Sequence, residues 1–352
     1  MTESGGAGYD AVVATVGYTL PINVEALYMI GAGLTGTGSG GADTLHSTGG
    51  ANILSGLAGD DLFFVNSSGD VVVEGVGGGN DTVGASVNYA LTDGHNIEVL
   101  SMLGSGLTGT GSSGADTLHS SGAPNILVGL GGDDHYYVNN PGDVVIEAPN
   151  GGSDTVIATV NYVLPGNHNI ELLSMFGSGL TGTGSSGSDT LHSSGAANIL
   201  VGLGGDDLYY VNNAADVVNE GVNGGNDTVV ATVDYLLPAN VEAMYMVGSG
   251  LTGTGGNGAE TLLTVGANIL VGGDGNDTFE FFAGSANGAT VNDFDGDEGD
   301  VLVFSGFGTV AQGASFSQIG TDLQITSGLD AHTETITLAN GAAVQAGDLF
   351  FV

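Results

Sequence analysis

The 352-residue chain has no lysine, no arginine, no cysteine and no tryptophan, and only 6 prolines, against 39 aspartates and glutamates. Globular sequences ordinarily carry about a quarter charged residues, with both signs present. The formal charge of −39 therefore has no internal counterpart. Salt bridges, arginine clamps on phosphate, Schiff-base lysines and positive-inside membrane anchoring are excluded together. Nucleic-acid binding goes with them, because phosphate neutralisation needs cationic side chains. Without cysteine there is no disulfide framework. Residues 1–20 lack the basic start and apolar core of a secretory signal peptide, and no apolar run approaches the roughly 18 residues that span a bilayer. What balances such a chain must come from solution as a cation.

What the chain has in abundance is glycine, 67 residues, beside 41% hydrophobic residues. That is too apolar for a charged disordered tail and lacks the three-residue period of collagen. Self-similarity dominates instead. ANILSGLAGDDLFFVN from Ala51, PNILVGLGGDDHYYVN from Pro124 and ANILVGLGGDDLYYVN from Ala197 recur at one fixed interval, and a divergent copy, ANILVGGDGNDTFEF, begins at Ala267. LTGTG keeps the period at Leu34, Leu107 and Leu180 and returns at Leu251, and DTLHS keeps it at Asp43, Asp116 and Asp189.

A finer step lies inside. Nine-residue units place Asp43, Asn52, Asp61 and Asp70 nine apart, each unit a glycine-rich turn, one acidic or amide residue, and a short β-branched or aromatic run. Such runs suit strands, and glycine supplies the turn conformations that other residues resist. Two units make one coil of about 18 residues, and stacked coils give an all-β parallel β-roll, a solenoid. Residues 1–280 are assigned to the roll and 281–352 to a C-terminal β cap, since the 73-residue period is expected to stop after Glu280.

Coiling demands an equivalent residue on one edge of every coil. Asp10, Glu25, Asp43, Asp61, Asp81, Glu98, Asp116, Asp134, Asp154, Glu171, Asp189, Asp207, Asp227, Glu242, Glu260 and Asp277 meet that demand, each step along the series being close to one coil in length. The opposite turn is less acidic, carrying Asn52, Asp70, Asn125, Asp143, Asn198 and Asp216. Strands lie ~4.8 Å apart, so adjacent carboxylates repel by about 3.5 kcal/mol at an effective dielectric near 20. A fraction of that, summed along the whole column, exceeds the roughly 5–15 kcal/mol by which domains are stable. The bare roll is expected not to fold. A multivalent cation between coils turns each repulsion into a shared ligand set, and all-oxygen donors on flexible turns favour Ca²⁺ over Mg²⁺. Because the ligands meet only when coils stack, binding energy becomes folding energy.

GGAGYDAVV at Gly5 and GGDGNDTFE at Gly272 match the nonapeptide G-G-x-G-x-D-x-U-x, which resembles the repeats of the repeats-in-toxin (RTX) proteins. Other units depart from it: Leu57 and Leu203 stand at the second glycine, and Glu260 replaces the aspartate. The resemblance implies a parallel β-roll holding multiple Ca²⁺ ions between turns one coil apart. Its implied metal ligands are Asp10, Asp43, Asp61, Asp81, Asp116, Asp134, Asp154, Asp189, Asp207, Asp227 and Asp277, joined by turn carbonyls. The C-terminal segment also resembles that of RTX proteins exported by type I secretion, with an acidic residue and short apolar tail at Asp348 to Val352. Low cytosolic calcium leaves such a chain threadable; millimolar calcium outside folds it.

Enzyme motifs are missing: no lysine for a P-loop, no G-x-S-x-G, no H-E-x-x-H. His46, His119 and His192 lie about four coils, ~19 Å, apart by strand spacing, too far to share zinc, and are expected to point outward. The T-x-T pairs Thr35/Thr37, Thr108/Thr110, Thr181/Thr183 and Thr252/Thr254 come once per four coils and are read as ordinary strand threonines. Strand alternation puts Phe63, Tyr136 and Tyr209 inward, Phe64, Tyr137 and Tyr210 outward. The expected protein is non-catalytic: an extracellular or cell-surface calcium-binding structural roll that forms a homo-oligomer or filament, matrix or surface layer. Assembly is expected at the uncapped strand edge near Gly5. A monomeric adhesin binding cell-surface polysaccharide and an accessory module of an RTX enzyme are the alternatives.

Overall fold

The computed structural model describes residues 8–166 and 169–352; the start of the first nonapeptide at Gly5 lies outside them. The chain separates into two compact units, Met1–Leu173 and Ser174–Val352. Both are wound from short parallel strands.

In the first unit, one face stacks Ala11–Ala14, Ala26–Gly31, Thr44–Gly49, Leu62–Val65, Thr82–Ala85, Val99–Met102, Thr117–His119, His135–Val138 and Thr155–Ala158, each paired in parallel with the next. The register aligns Leu45, Phe63, Val83, Leu100, Leu118, Tyr136 and Val156 in one column, and every member is fully buried. Burying each such side chain stabilises the coil stack by about 1.5–3 kcal/mol. The second face is discontinuous. Thr35–Thr37, Ile53–Ser55 and Val71–Val73 form one set, Thr108–Thr110, Ile126–Val128 and Val144–Ile146 another. Between the sets the turn around His95 intrudes: Glu74 N–H donates to the His95 carbonyl at 3.0 Å, and His95 Nδ1 lies 2.7 Å from the Val72 carbonyl.

The glycine inside each T-G-T has a packing cause. A Cβ at Gly36 would come 2.9 Å from Met29 Cγ, and one at Gly109 2.6 Å from Met102 Sδ. The methionine crosses the roll and occupies that space, so the flanking threonines face outward as ordinary strand residues.

The second unit repeats the plan with Thr190–Ser193, Leu208–Val211, Thr228–Ala231, Ala243–Val247, Thr261–Val265 and Thr278–Phe282. Winding then continues, because Val301–Ser305 pairs in parallel with Thr278–Phe282 and Leu349–Phe351 in parallel with Val301–Ser305. On the other face Thr290–Val291 is followed by Thr333–Leu338, which joins the antiparallel strands Asp322–Thr326 and Ser315–Ile319. The apolar residues near the C-terminus are thus strand residues of the folded unit. Phe279, Phe281, Phe294, Phe304 and Phe307 fill its interior.

Candidate metal sites along one edge

Each strand of the first face is entered from a turn whose last residue is acidic, and the turn is glycine-rich wherever that residue is an aspartate. At each of the eleven sequence-predicted aspartates that residue's backbone N–H donates to the acidic side chain one coil later. In the first unit Asp43 donates to Asp61 Oδ1 at 2.7 Å, Asp61 to Asp81 Oδ1 at 2.8 Å, Asp116 to Asp134 Oδ1 at 2.7 Å and Asp134 to Asp154 Oδ1 at 2.8 Å. In the second, Asp189 donates to Asp207 Oδ1 at 2.7 Å and Asp207 to Asp227 Oδ1 at 2.8 Å. The glutamates outside glycine turns belong to the same column: Glu25, Glu98, Glu171 and Glu242 accept from Asp10, Asp81, Asp154 and Asp227 at 2.7–2.9 Å.

Asp61, Asp81, Asp134, Asp154, Asp207, Asp227 and Asp277 thereby use Oδ1, and the fate of Oδ2 divides the eleven aspartates. In Asp43, Asp116 and Asp189, Oδ2 caps its own turn, accepting from the N–H of Ser39, Ser112 and Ser185 at 2.5–2.6 Å. In Asp10, Asp61, Asp81, Asp134, Asp154, Asp207, Asp227 and Asp277, Oδ2 is buried with no hydrogen-bond partner. An unmet buried acceptor costs roughly 1–3 kcal/mol, more when charged. Loss of hydration is the main reason that Asp61, Asp81, Asp134, Asp154, Asp207, Asp227 and Asp277 resist ionising. It pushes Asp134 up to about 8, Asp61, Asp207 and Asp277 to about 7, and Asp81 and Asp154 to about 6. Neighbouring carboxylates add to the rise, while the N–H from the preceding coil opposes it.

A second set of carboxylates enters from the end of the second face. Glu74 accepts the N–H groups of Gly56 and Leu57, the latter at 2.9 Å. Glu147 and Glu220 accept the hydroxyls of Tyr136 and Tyr209. A Cβ at Gly129 would strike Tyr136 Oη, Glu147 Oε1 and Asp134 Oδ2, and one at Gly202 their counterparts Tyr209 Oη, Glu220 Oε1 and Asp207 Oδ2. Glycine here keeps open a space that oxygen atoms surround. Buried acceptors without donors, all-oxygen lining and no cationic side chain nearby fit a hard divalent cation. The Oδ2-orphaned aspartates and these glutamates are the side chains that would hold it.

Glu74, Glu147 and Glu220 are absent from the sequence-predicted ligands, although they keep the same interval as the motifs around them. Two acids beyond Glu280 take places comparable to those of the earlier repeats. Asp293 follows Glu220, and Asp300 follows Asp227, by one full period. Asp293 receives the N–H groups of Gly272 and Gly273 at 2.9 and 3.0 Å, as Glu74 does in its coil, and Asp300 Oδ1 accepts from Asp277 at 2.9 Å. The lengthened turn around Gly296 disguises the repeat.

The opposite edge is built otherwise. Asp143 Oδ1 accepts from Ser120 Oγ at 2.7 Å and Asn125 N–H at 2.9 Å; its Oδ2 accepts from the N–H groups of Asn139 and Asn140 at 3.2 and 3.0 Å. Asp70 and Asp216 are met in the same way. Buried acid by itself does not mark a metal site here; an oxygen lacking a donor does.

His46 and His119 lie on the outer side of their strands, stacked between Tyr28 and Phe64 and against Tyr137. His332 makes the ion pairs that the lack of lysine and arginine was expected to exclude. Its ring nitrogens contact Asp330 at 2.5 Å and Glu334 at 3.0 Å, and those bonds raise its pKa. Among the described residues no helix is long and apolar enough to cross a membrane.

Four stretches of the chain, residues 37–72, 110–140, 183–218 and 254–280, match the RTX calcium-binding nonapeptide repeat. A segment of 103 residues, 29% of this chain, is 35% identical to the endo-1,3-1,4-beta-glycanase ExsH of Rhizobium meliloti (strain 1021), and covers 20% of that protein's length. The matched repeats overlie the orphaned carboxylates Asp61, Asp134, Asp207 and Asp277.

Proposed function

We propose that this chain of RTX calcium-binding repeats is a secreted structural β-roll that folds on taking up several Ca²⁺ ions and then self-assembles outside the cell as a filament, matrix or surface layer. The observation that carries this reading is the row of buried Asp Oδ2 atoms without protein donors, in a chain with no lysine or arginine to pair them. Ca²⁺ supplies the missing charge. The residues do the rest: in Asp61, Asp81, Asp134, Asp154, Asp207, Asp227 and Asp277, Oδ1 grips the preceding coil and Oδ2 faces the ion, and glycine turns keep the space between them clear. Ordering the coils and binding the ions are then one event.

Secretion follows from the same chemistry, since a chain that stays unfolded at low calcium is suited to export. Residues 281–352 serve in this reading as the cap and carry the type I signal at Asp348 to Val352. No catalytic role is proposed. Association is supported by the second face, where Ile53, Val71, Ile126 and Val144 in the first unit and Ile199, Val217 and Ile269 in the second stand 36–46% exposed on strands free of charge. Circular dichroism and sedimentation across one calcium titration test the whole reading. Gain of β-structure followed by rapid sedimentation is expected. Strand content unchanged by exhaustive chelation would refute calcium-coupled folding; folded monomers at millimolar calcium would refute assembly.

A second reading, a monomeric glycan-binding or accessory module, is favoured by the match to a glycanase. Retention of calcium-loaded monomer on a 1,3-1,4-β-glucan column distinguishes it.

A further inference from the structure

In the second and third repeats the edge gains a third carboxylate. Asp134, Glu147 and Asp154 each bring one oxygen within 4.8 Å of the other two, and Asp207, Glu220 and Asp227 do the same. Each cluster lies within a single compact unit. Crowded acids alone do not make a site. The independent mark is that Asp134, Asp154, Asp207 and Asp227, all at most 2% exposed, each hold a buried Oδ2 with no hydrogen-bond partner. Asp134 Oδ2 and Glu147 Oε1 converge above Gly129, as Asp207 Oδ2 and Glu220 Oε1 do above Gly202.

The first repeat offers the same three residue types, Asp61, Glu74 and Asp81, yet among the described residues only the second and third draw them into clusters. The difference sits in the core column. Phe63 of the first repeat is replaced by Tyr136 and Tyr209, whose hydroxyls donate to Glu147 and Glu220. Glu74 is held instead by the backbone of Gly56 and Leu57. Tyr136 and Tyr209 act as positioning residues that turn the glutamate toward the aspartate pair.

We infer that these clusters form a second class of calcium site, two per chain, in which Glu147 and Glu220 are direct ligands and which fill before the rest of the edge. The inference rests on the calcium reading above and adds to it two ligands and an order of occupancy. Its physical basis is ligand charge. Oxygen sites tune calcium affinity through the number of anionic ligands and the rigidity with which they are held. Three carboxylates fixed by a buried phenol bind a divalent ion more tightly than the two available where Asp43, Asp116 and Asp189 already cap their own turns.

Calorimetric calcium titration of the full chain tests this, comparing the native protein with Glu147→Gln/Glu220→Gln. The native protein is expected to show a first phase of two ions per chain. The double variant should lose that phase, with those two ions weakened roughly tenfold or more, while circular dichroism at millimolar calcium still reports the roll. An unchanged first phase in the variant overturns the inference. A native protein that gains no β-structure with calcium overturns the earlier reading instead. Should the double variant not fold, terbium titration of the native chain decides. Tyrosine-sensitised emission saturating at two ions, and lost in Tyr136→Phe/Tyr209→Phe, supports the sites; emission that rises only with bulk binding, or survives the tyrosine changes, overturns them.

Discussion

Asp154 Oδ1 accepts the backbone N–H of Asp134 from the preceding coil at 2.8 Å, while its Oδ2 lies buried with no protein donor. One side chain thus carries a structural half and a half that needs an ion. Asp154→Asn separates them, since the amide can keep the carbonyl acceptor and replace the orphaned oxygen by a donor. In chelator this variant is expected to hold more strand structure than the native chain, and to need several-fold more calcium for its final folding step. Circular dichroism with and without chelator checks both. A native-like calcium midpoint would remove Asp154 from the ligands.

Protons should stand in for calcium. Burial pushes Asp134 up to about 8 from an ordinary 3.8, and Asp61, Asp207 and Asp277 up to about 7. The folded state therefore binds protons more strongly than the unfolded one, and stability falls as pH rises. That contribution is fully present below about pH 4 and lost as pH climbs through about 6 to 8. Chelated protein should be rolled at pH 4–5 and unfold toward pH 8, and calcium should flatten the curve. Chelated protein that is equally folded at pH 5 and pH 8 contradicts this assignment.

The winding was legible in the sequence because strand, turn and acid recur at one period, and the eight orphaned oxygens all belong to aspartates named from that period. Two things were hidden. Whether a buried acid is satisfied depends on turn geometry: Asp43 and Asp61 occupy equivalent places in their nonapeptides, but only Asp43 has Ser39 folded back onto it. The inward reach of Glu74, Glu147 and Glu220 depends on packing between coils. Their common period was visible; their convergence on a glycine one coil earlier was not.

The leucines in the second-glycine position are strained. Leu57, Leu130 and Leu203 have φ of 86°, 83° and 83°, whereas the fourth copy places Gly273 there with φ 101°. A left-handed conformation costs a side-chain-bearing residue about 1–2 kcal/mol, and these leucines are 46–52% exposed, so little burial offsets it. Each leucine-to-glycine change should raise calcium-loaded stability by about 0.5–1 kcal/mol after the entropy cost of glycine is subtracted. Thermal unfolding of the triple variant is the measurement. A lowered midpoint would mean that the leucines make a contact worth more than the strain, and would direct attention to this edge as a binding surface.

The opposite edge supplies the sharpest contrast. Asp143 is as buried as many ladder residues, at 5% exposure, but four donors meet it: Ser120 Oγ and the N–H groups of Asn125, Asn139 and Asn140. Asp143→Ala leaves those donors stranded, two of them in the interior, at a cost of about 3 kcal/mol or more. The variant should melt well below the native protein in saturating calcium. Yet it should bind the same number of ions per folded chain with unchanged affinity for the first two, because no oxygen of Asp143 was waiting for a cation. Equilibrium dialysis at saturating calcium gives the count. One ion fewer per chain would show that metal is bound on both edges, and the distinction between satisfied and orphaned carboxylates would no longer identify the ligands.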